Sequence, residues 1–447
     1  MRPNTGLTRF HNCNILREGK IIKEDLWIRE GKIVNPEQVF YVEQSEADIT
    51  VNCDNLLIAP GFIDLQINGG WGVDFSFDTE SIEEGVCKVA KELLAHGVTS
   101  FCPTMVTSER EKYSQILPRI KRAQGGKHGA TILGVHLEGP FISLSKKGAH
   151  ADEFIMNPVK GLESMREVYG PLNDVIIVTL APELPGAMDA IKSLTSLGIK
   201  VALGHSAANL ADGEKAVKCG ANLITHLFNA MLPFHHRDPG LVGLLASSTE
   251  KQVFYGIISD GIHTHPAALR IACRTNPEGL VLVSDAVPAQ GLADGAYTIG
   301  PRSVTIEAGR AYVTGTKVLC GSTSALDHCV AKFKDATDCS LEYALETASL
   351  HPAKALGIEN RKGNLNFDCD ADFVILEPES LKGCAWCHRS RANKPTSNRR
   401  VALKSSPCAP PNPNSIASIG TEHVSQTPPT PPHPLPHRTK AAQCHPM

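Results

Sequence analysis

From Leu57 to Ser284 the chain alternates short apolar runs, rich in β-branched residues, with stretches of helical period, and it does so eight times. The runs fall at 57–65, 98–102, 132–137, 174–180, 199–203, 222–226, 253–258 and 280–284. Their length suits buried strands better than helices, which want ten residues or more. The clearest intervening helix opens at Ser81, with Glu84 three residues on as a capping box. It sets Val86, Val89, Ala90, Leu93 and Leu94 on one face and stops at Gly97. Residues 186–197 and 208–219 repeat the pattern. Strict strand–helix alternation predicts a parallel sheet, and eight units match an α/β fold of the (β/α)8, TIM-like barrel type, whose usual size is about 250 residues. A doubly wound sheet would want a Gly-rich phosphate loop after its first strand, and Gln66-Ile-Asn-Gly-Gly70 lacks that spacing. The barrel is expected over 59–358.

The flanks use a different pattern. Asn14–Ile22 reads as a hairpin around Glu18-Gly19, and Asp25–Val34 as a second one with Gly31 in its turn. After the eighth strand, 297–315 reads as a hairpin insertion, and 322–336 and 340–357 as helices. Asp370-Ala-Asp-Phe-Val-Ile-Leu376 returns to strand character. Residues 8–58 and 359–380 are therefore expected to form a small β-sandwich domain, because so short a segment buries too little alone. From 381 to 447 periodicity is lost and Pro, Ser, Asn, Arg and Lys dominate, which predicts a disordered Pro-rich tail. Its Pro-rich run, 427–436, would suit an extended ligand for an SH3-type domain. Cys384-Ala-Trp-Cys-His388 has haem-attachment or redox spacing but lacks the context such motifs require.

Charge excludes some partners. With 44 basic and 47 acidic residues the net charge is −3, so no global field draws the chain to nucleic acid or an anionic membrane. No run of about 18 apolar residues predicts a membrane span. The N-terminus shows no signal-peptide apolar region, and the 14 cysteines stand singly in apolar segments. They read as reduced thiols and the setting as cytoplasmic.

In a barrel of this kind the strand C-termini converge on one face, where active sites sit. Gln66 and Asn68 follow the first strand, Glu138 the third, His205 the fifth, and His226 with Asn229 the sixth. Asp260 and His263 follow the seventh strand and Asp285 the eighth. One carboxylate and two imidazoles, Glu138, His205 and His226, suit a divalent ion such as Zn²⁺, with Fe²⁺, Co²⁺ or Mn²⁺ as alternatives. A carboxylate beside a metal-activated water, Asp285, can accept its proton and pass it to a leaving amine. The competing reading of Asp285 is a helix N-cap.

These residues carry a family resemblance. Ala59-Pro-Gly-Phe-Ile-Asp-Leu-Gln-Ile-Asn-Gly-Gly70, His136-Leu-Glu-Gly-Pro-Phe141, Lys147-Gly-Ala-His150 and Leu203-Gly-His-Ser206 begin it. Thr225-His-Leu-Phe-Asn-Ala-Met231, Arg237-Asp-Pro-Gly240, Asp260-Gly-Ile-His263 and Val283-Ser-Asp-Ala286 continue it in order. The pattern resembles the amidohydrolase superfamily and, within it, the N-acetylglucosamine-6-phosphate deacetylase family in its animal form. The resemblance implies metal-dependent hydrolysis of N-acetyl-D-glucosamine 6-phosphate to glucosamine 6-phosphate and acetate. It also implies one divalent metal ion per subunit, Zn²⁺ the expected ion, because Gln66 and Asn68 replace the His-x-His that holds a second metal elsewhere. Glu138, His205 and His226 would be the ligands, Asp285 the general base and acid, and His150 the group that polarises the acetamide carbonyl. Ala149, Asn229, Ala230, Arg237, Asp260, Gly261, Ile262, His263, Leu319, Cys320 and Gly321 match substrate-lining positions, and phosphate contacts across a subunit interface imply a homodimer. Three departures stand out: Cys320 in place of a hydroxyl residue, Ser284 in place of Thr, and a tail where the family adds the sandwich's last strand. That strand is therefore expected to be missing. A cyclic-amide hydrolase of the dihydroorotase or dihydropyrimidinase kind would need His at 66 and 68. A non-catalytic binding protein would not need the intact constellation.

Overall fold

The computed structural model describes residues 6–299, 302–317, 319–377 and the strand 383–387. Eight parallel strands form the barrel: β1 (Phe62–Ile67), β2 (Val98–Val106), β3 (Val135–Glu138), β4 (Val175–Leu180), β5 (Lys200–Leu203), β6 (Leu223–Ile224), β7 (Phe254–Ile257) and β8 (Leu280–Leu282). They pair in sequence order, each parallel to the next, and a parallel bridge between Ile67 and Ala286 closes the ring. Helices Ile82–Leu93, Leu162–Tyr169, Ala187–Ser196, Leu210–Cys219, Pro266–Thr275 and Leu326–Thr337 connect or follow the strands. Pattern becomes packing through the two-residue period of the strands. Val135, Leu137, Leu280 and Leu282 point outward to the helices, while Ile63, Leu65, Ala202, Val281 and Val283 fill the barrel interior.

Two sheets flank the barrel. A four-stranded sheet contains Leu7–His11, Leu26–Arg29, Lys32–Ile33 and Ile49–Asn52. A five-stranded sheet contains Asn14–Arg17, Lys20–Lys23, Leu57–Pro60, Asp372–Leu376 and Gly383–Cys387. One apolar core lies between them, with Phe10, Leu26 and Ile28 from the first sheet and Ile15, Ile58, Phe373 and Ile375 from the second. Phe10 meets Phe373 edge-to-face at 5.3 Å. Both hairpins form as expected, and Glu18-Gly19 and Glu30-Gly31 all have positive φ, as a two-residue turn with the right twist requires.

Several expectations need correction. The apolar run 57–65 is not one barrel strand: Leu57–Pro60 belongs to the five-stranded sheet and β1 starts at Phe62. This strand is buried on both faces. Ile58 faces the sandwich core, while Leu57 and Ala59 face the barrel core, so it reads as a continuous apolar run. The insertion is three-stranded, Gly295–Ile299, Arg302–Glu307 and Arg310–Val313, rather than a hairpin. The stretch 340–357 is two helices, Leu341–Glu346 and Leu350–Leu356, because Pro352 has no N–H to donate and is tolerated only in a first turn. Ser81 is the N-cap of its helix, but its side chain makes no capping bond. The sandwich's last strand, expected to be missing, is present: Gly383–Cys387 pairs antiparallel with Asp372–Leu376. Backbone pairing to a formed edge needs an extended segment without proline, and these five residues supply one despite their composition. Residues 381 and 382, and the tail expectations from 388 onward, lie outside the described residues.

Candidate active site

The strand period that sends Val135 and Leu137 outward turns His136 and Glu138 inward, and Glu138 is the last residue of β3. His205 and His226 lie just past β5 and β6, and Asp285 lies past β8. All three adopt left-handed backbone, with φ of 48°, 26° and 45°. Such conformations are uncommon for these residue types and cost on the order of 1–3 kcal/mol each. At this rim they rotate the side chains off the strand direction and over the barrel mouth.

Glu138 Oε1, His205 Nε2 and His226 Nε2 lie 3.0–3.1 Å from one another. Each is almost fully buried. His205 Nδ1–H donates to Lys146 O at 2.9 Å, so Nε2 of the neutral ring carries a lone pair. That lone pair faces a carboxylate oxygen and a second imidazole nitrogen, a convergence of acceptors that a cation satisfies. Burial alone would lower the pKa of His226, but the hydrogen bond and charge of Glu138 outweigh it and raise it to about 9. Burial would raise Glu138, yet the two histidines hold it well below the ordinary carboxylate value. Residues of these types, so placed, fit a divalent metal, and the cluster is a candidate metal site. Glu138, His150 and His205 also bring ligand atoms within 4.8 Å of one another, while His226 Nε2 lies 3.0 Å from Glu138 Oε1 and from His205 Nε2, so both histidines are candidates for the third position.

Gln66 and Asn68 face the carboxylates with their amide nitrogens. Gln66 Nε2 donates to Glu138 Oε1 at 3.0 Å and to Asp285 Oδ1 at 3.1 Å, and Asn68 Nδ2 donates to Asp285 Oδ1 at 2.8 Å. Their amide nitrogens are thus occupied as donors to the two carboxylates. Burial, helped by the negative charge of Glu138, pushes Asp285 up to about 6. No helix follows Asp285, so the N-cap reading fails. Instead its carbonyl accepts from Ser322 N at 3.2 Å, which ties the Leu319-Cys320-Gly321 loop to the rim. A Cβ on Gly321 would come 2.5 Å from Val287 Cγ1, so this close approach requires glycine.

His150 is 9% exposed and its ring centroid lies 4.4 Å from that of His205. Its Nδ1 accepts from Thr107 N at 3.2 Å and lies 2.7 Å from Thr107 Oγ1. At the seventh strand, Asp260 Oδ1 accepts from Ile262 N and His263 N at 2.8 Å each, and Oδ2 lies 2.6 Å from His263 Nδ1. Burial lowers His263 and raises Asp260, but the ion pair outweighs both, leaving His263 raised and Asp260 lowered. Lys332 Nζ donates to Asp260 O at 2.8 Å. Asn229 and Ala230 sit on the turn after β6, where Asn229 N donates to His226 O and Ser206 N donates to Ala230 O. Ala149 is half-buried one residue before His150. Arg237 stands apart on an exposed turn, joined to the rest by its backbone N–H donating to His235 Nδ1.

Sequence reasoning passed over four residues here. Thr107 lies at the end of β2 beside His150. Asp64 is fully buried in β1, where burial pushes it up to about 7. His136, pushed down to about 4 by burial, lies 2.7 Å from Thr179 Oγ1, which in turn meets Thr225 Oγ1, so the chain links β3 and β4 to the residue before His226. Lys332 is the fourth. The apolar run 98–102 stops short of Thr107, so its place at the end of β2 carries no signal in the sequence.

A barrel that delivers Glu138, His205, His226 and Asp285 to one rim defines the class: a barrel hydrolase built round a metal site. Residues 57–402 match the model of the amidohydrolase family. N-acetylglucosamine-6-phosphate deacetylase of Bos taurus is 54% identical over 386 residues, covering 84% of this chain and 94% of the relative. That of Homo sapiens is 55% identical over 373 residues, covering 83% and 91%. The crystal structure of N-acetylglucosamine-6-phosphate deacetylase from Pasteurella multocida superposes with a TM-score of 0.73 at 26% identity, covering 84% of this chain and 97% of that one. The chain belongs to the amidohydrolase family, among its N-acetylglucosamine-6-phosphate deacetylases.

Proposed function

We propose that the chain hydrolyses the acetamide of N-acetylglucosamine 6-phosphate, giving glucosamine 6-phosphate and acetate. The observation that carries this reading is the convergence of Glu138, His205 and His226 beside Asp285. A bound divalent cation, Zn²⁺ for one carboxylate and two imidazoles, supplies Lewis acidity toward water and the amide carbonyl. Gln66 and Asn68 hold Asp285 through Oδ1, which leaves Oδ2 to take the proton of the attacking water. The same oxygen then delivers that proton to the departing nitrogen as the tetrahedral intermediate collapses. His150 donates a hydrogen bond to the carbonyl oxygen and stabilises the charge that develops on it.

At the other end of the sugar, His263, held by Asp260, which favours its protonated form, binds the phosphate together with Asn229 and Ala230. Ala149, Gly261, Ile262, Leu319, Cys320 and Gly321 line the sugar. Arg237 is exposed on its turn, and its guanidinium fork suits the phosphate bound by a partner protomer in a homodimer. Cys13, Cys53, Cys102, Cys329 and Cys369 are buried thiols outside any disulfide. That, with a phosphorylated substrate confined to the cell interior, supports a cytoplasmic setting. Among the described residues no helix is long and apolar enough to cross a membrane.

The test is acetate release by the purified chain from the sugar with and without its 6-phosphate, alongside elemental analysis. Release from the phosphorylated sugar, about 100-fold weaker from the unphosphorylated one, is expected when a charge-assisted contact worth roughly 3 kcal/mol is lost. No release from the phosphorylated sugar by folded, metal-loaded protein overturns the reading.

A further inference from the structure

We propose that Thr107 is a positioning residue that holds His150 in the one tautomer able to donate to the acetamide oxygen. The proposal rests on the reading of His150 given above.

The geometry at Nδ1 is specific. The backbone N–H of Thr107 points at Nδ1 of His150 at 3.2 Å, a long contact that favours an acceptor there without fixing it alone. Thr107 Oγ1 lies 2.7 Å from the same nitrogen. Thr107 is 2% exposed, and its hydroxyl reaches Nδ1 as a second donor. When both donors of one residue occupy Nδ1, the proton of the neutral ring must sit on Nε2. The imidazole is then a donor at Nε2 without being a cation, which suits a group beside a metal site that already holds positive charge.

A second contact shows how closely this lock is built into the rim. A Cβ on Gly139 would fall 2.2 Å from Thr107 Oγ1 and 3.5 Å from His150 Nδ1. Gly139 also has φ of +82°. The glycine that directly follows the metal ligand Glu138 is therefore the space into which the Thr107 hydroxyl fits. Glu138 and the His150 lock are adjacent features of one loop, and Thr107 arrives from β2.

Thr107→Val keeps the backbone donor and the branched shape but removes the hydroxyl, and Thr107→Ser restores it. With the metal-loaded enzyme, Thr107→Val should lower kcat by about 10- to 100-fold, the range for lost supporting contacts, with KM within about twofold. Thr107→Ser should recover most of that loss. In ¹⁵N-histidine spectra, assigned by difference from His150→Gln, the parent should show His150 as the Nε2–H tautomer and Thr107→Val a mixture. In a His150→Gln background, Thr107→Val should cause no further loss, since it acts only through that ring. A kcat for Thr107→Val within twofold of the parent, or an equal loss in the His150→Gln background, overturns the proposal. Full activity of His150→Gln itself would instead overturn the role of His150, while the tautomer signal still reads the lock directly.

Discussion

The barrel rim and the two-sheet sandwich use the same alternating strands but treat the backbone in opposite ways. In the sandwich, left-handed conformations sit in short turns such as Glu18-Gly19 and Glu30-Gly31, where the twist of a tight hairpin asks for them. At the rim they sit on His205, His226 and Asp285, residues whose side chains line the candidate site. The sandwich buries Phe10, Ile28, Ile58 and Phe373 with no polar atom in those side chains, whereas the rim buries a carboxylate against two imidazoles. One region gains stability by obeying local rules. The other stores strain and charge, and persists because the surrounding core over-determines it.

The comparison can be broken most severely at Asp285. Asp285→Asn should lower kcat by about 10⁴-fold, equivalent to about 5.5 kcal/mol in the barrier, while metal content and the thermal midpoint hold. Turnover within tenfold of the parent, or loss of the metal, would show that the rim works differently. The converse change is Phe373→Ala in the sandwich, which should cost about 3–5 kcal/mol of stability. Activity per folded molecule should stay as it was, measured as kcat/KM beside a denaturant titration. A fall in kcat/KM without a fall in stability would erase the division of labour.

A smaller, pH-dependent effect sharpens the comparison within the rim. The folded pKa of His263 is raised, so its stabilising share is complete below the unfolded value of about 6.5 and fades as pH rises through the folded value. Asp260 is lowered, so its share is complete above the unfolded value of about 3.9 and fades as pH falls through the folded one. Asp260→Asn removes the partner but leaves the burial, so the pKa of His263 should drop, read by NMR titration. KM for the phosphorylated sugar should rise correspondingly near neutral pH. An unmoved His263 titration would mean that the ion pair does not set its charge.

Much of this molecule was legible in one dimension, and for specific reasons. Barrel strands alternate with amphipathic helices, so their order and number follow from periodicity. Glu138, His205, His226 and Asp285 were legible because each stands at the end of an apolar run, where the fold collects its chemistry. Leu57–Pro60 was misplaced because a strand buried on both faces looks the same whichever sheet it joins. Gly383–Cys387 was missed because an edge strand can form through its backbone, with no pattern in its side chains.

By itself the sequence determined the fold class, the candidate ligand types and the presence of amides at Gln66 and Asn68. These depend on residue identity and local period, which the chain carries directly. Tertiary structure alone decided the rest: that the amide nitrogens of Gln66 and Asn68 face the carboxylates, that the backbone is left-handed at His205, His226 and Asp285, and that Thr107 meets His150. Those contacts join residues 43 to 219 positions apart, and hydrogen-bond direction and φ are set only when distant strands close into one ring.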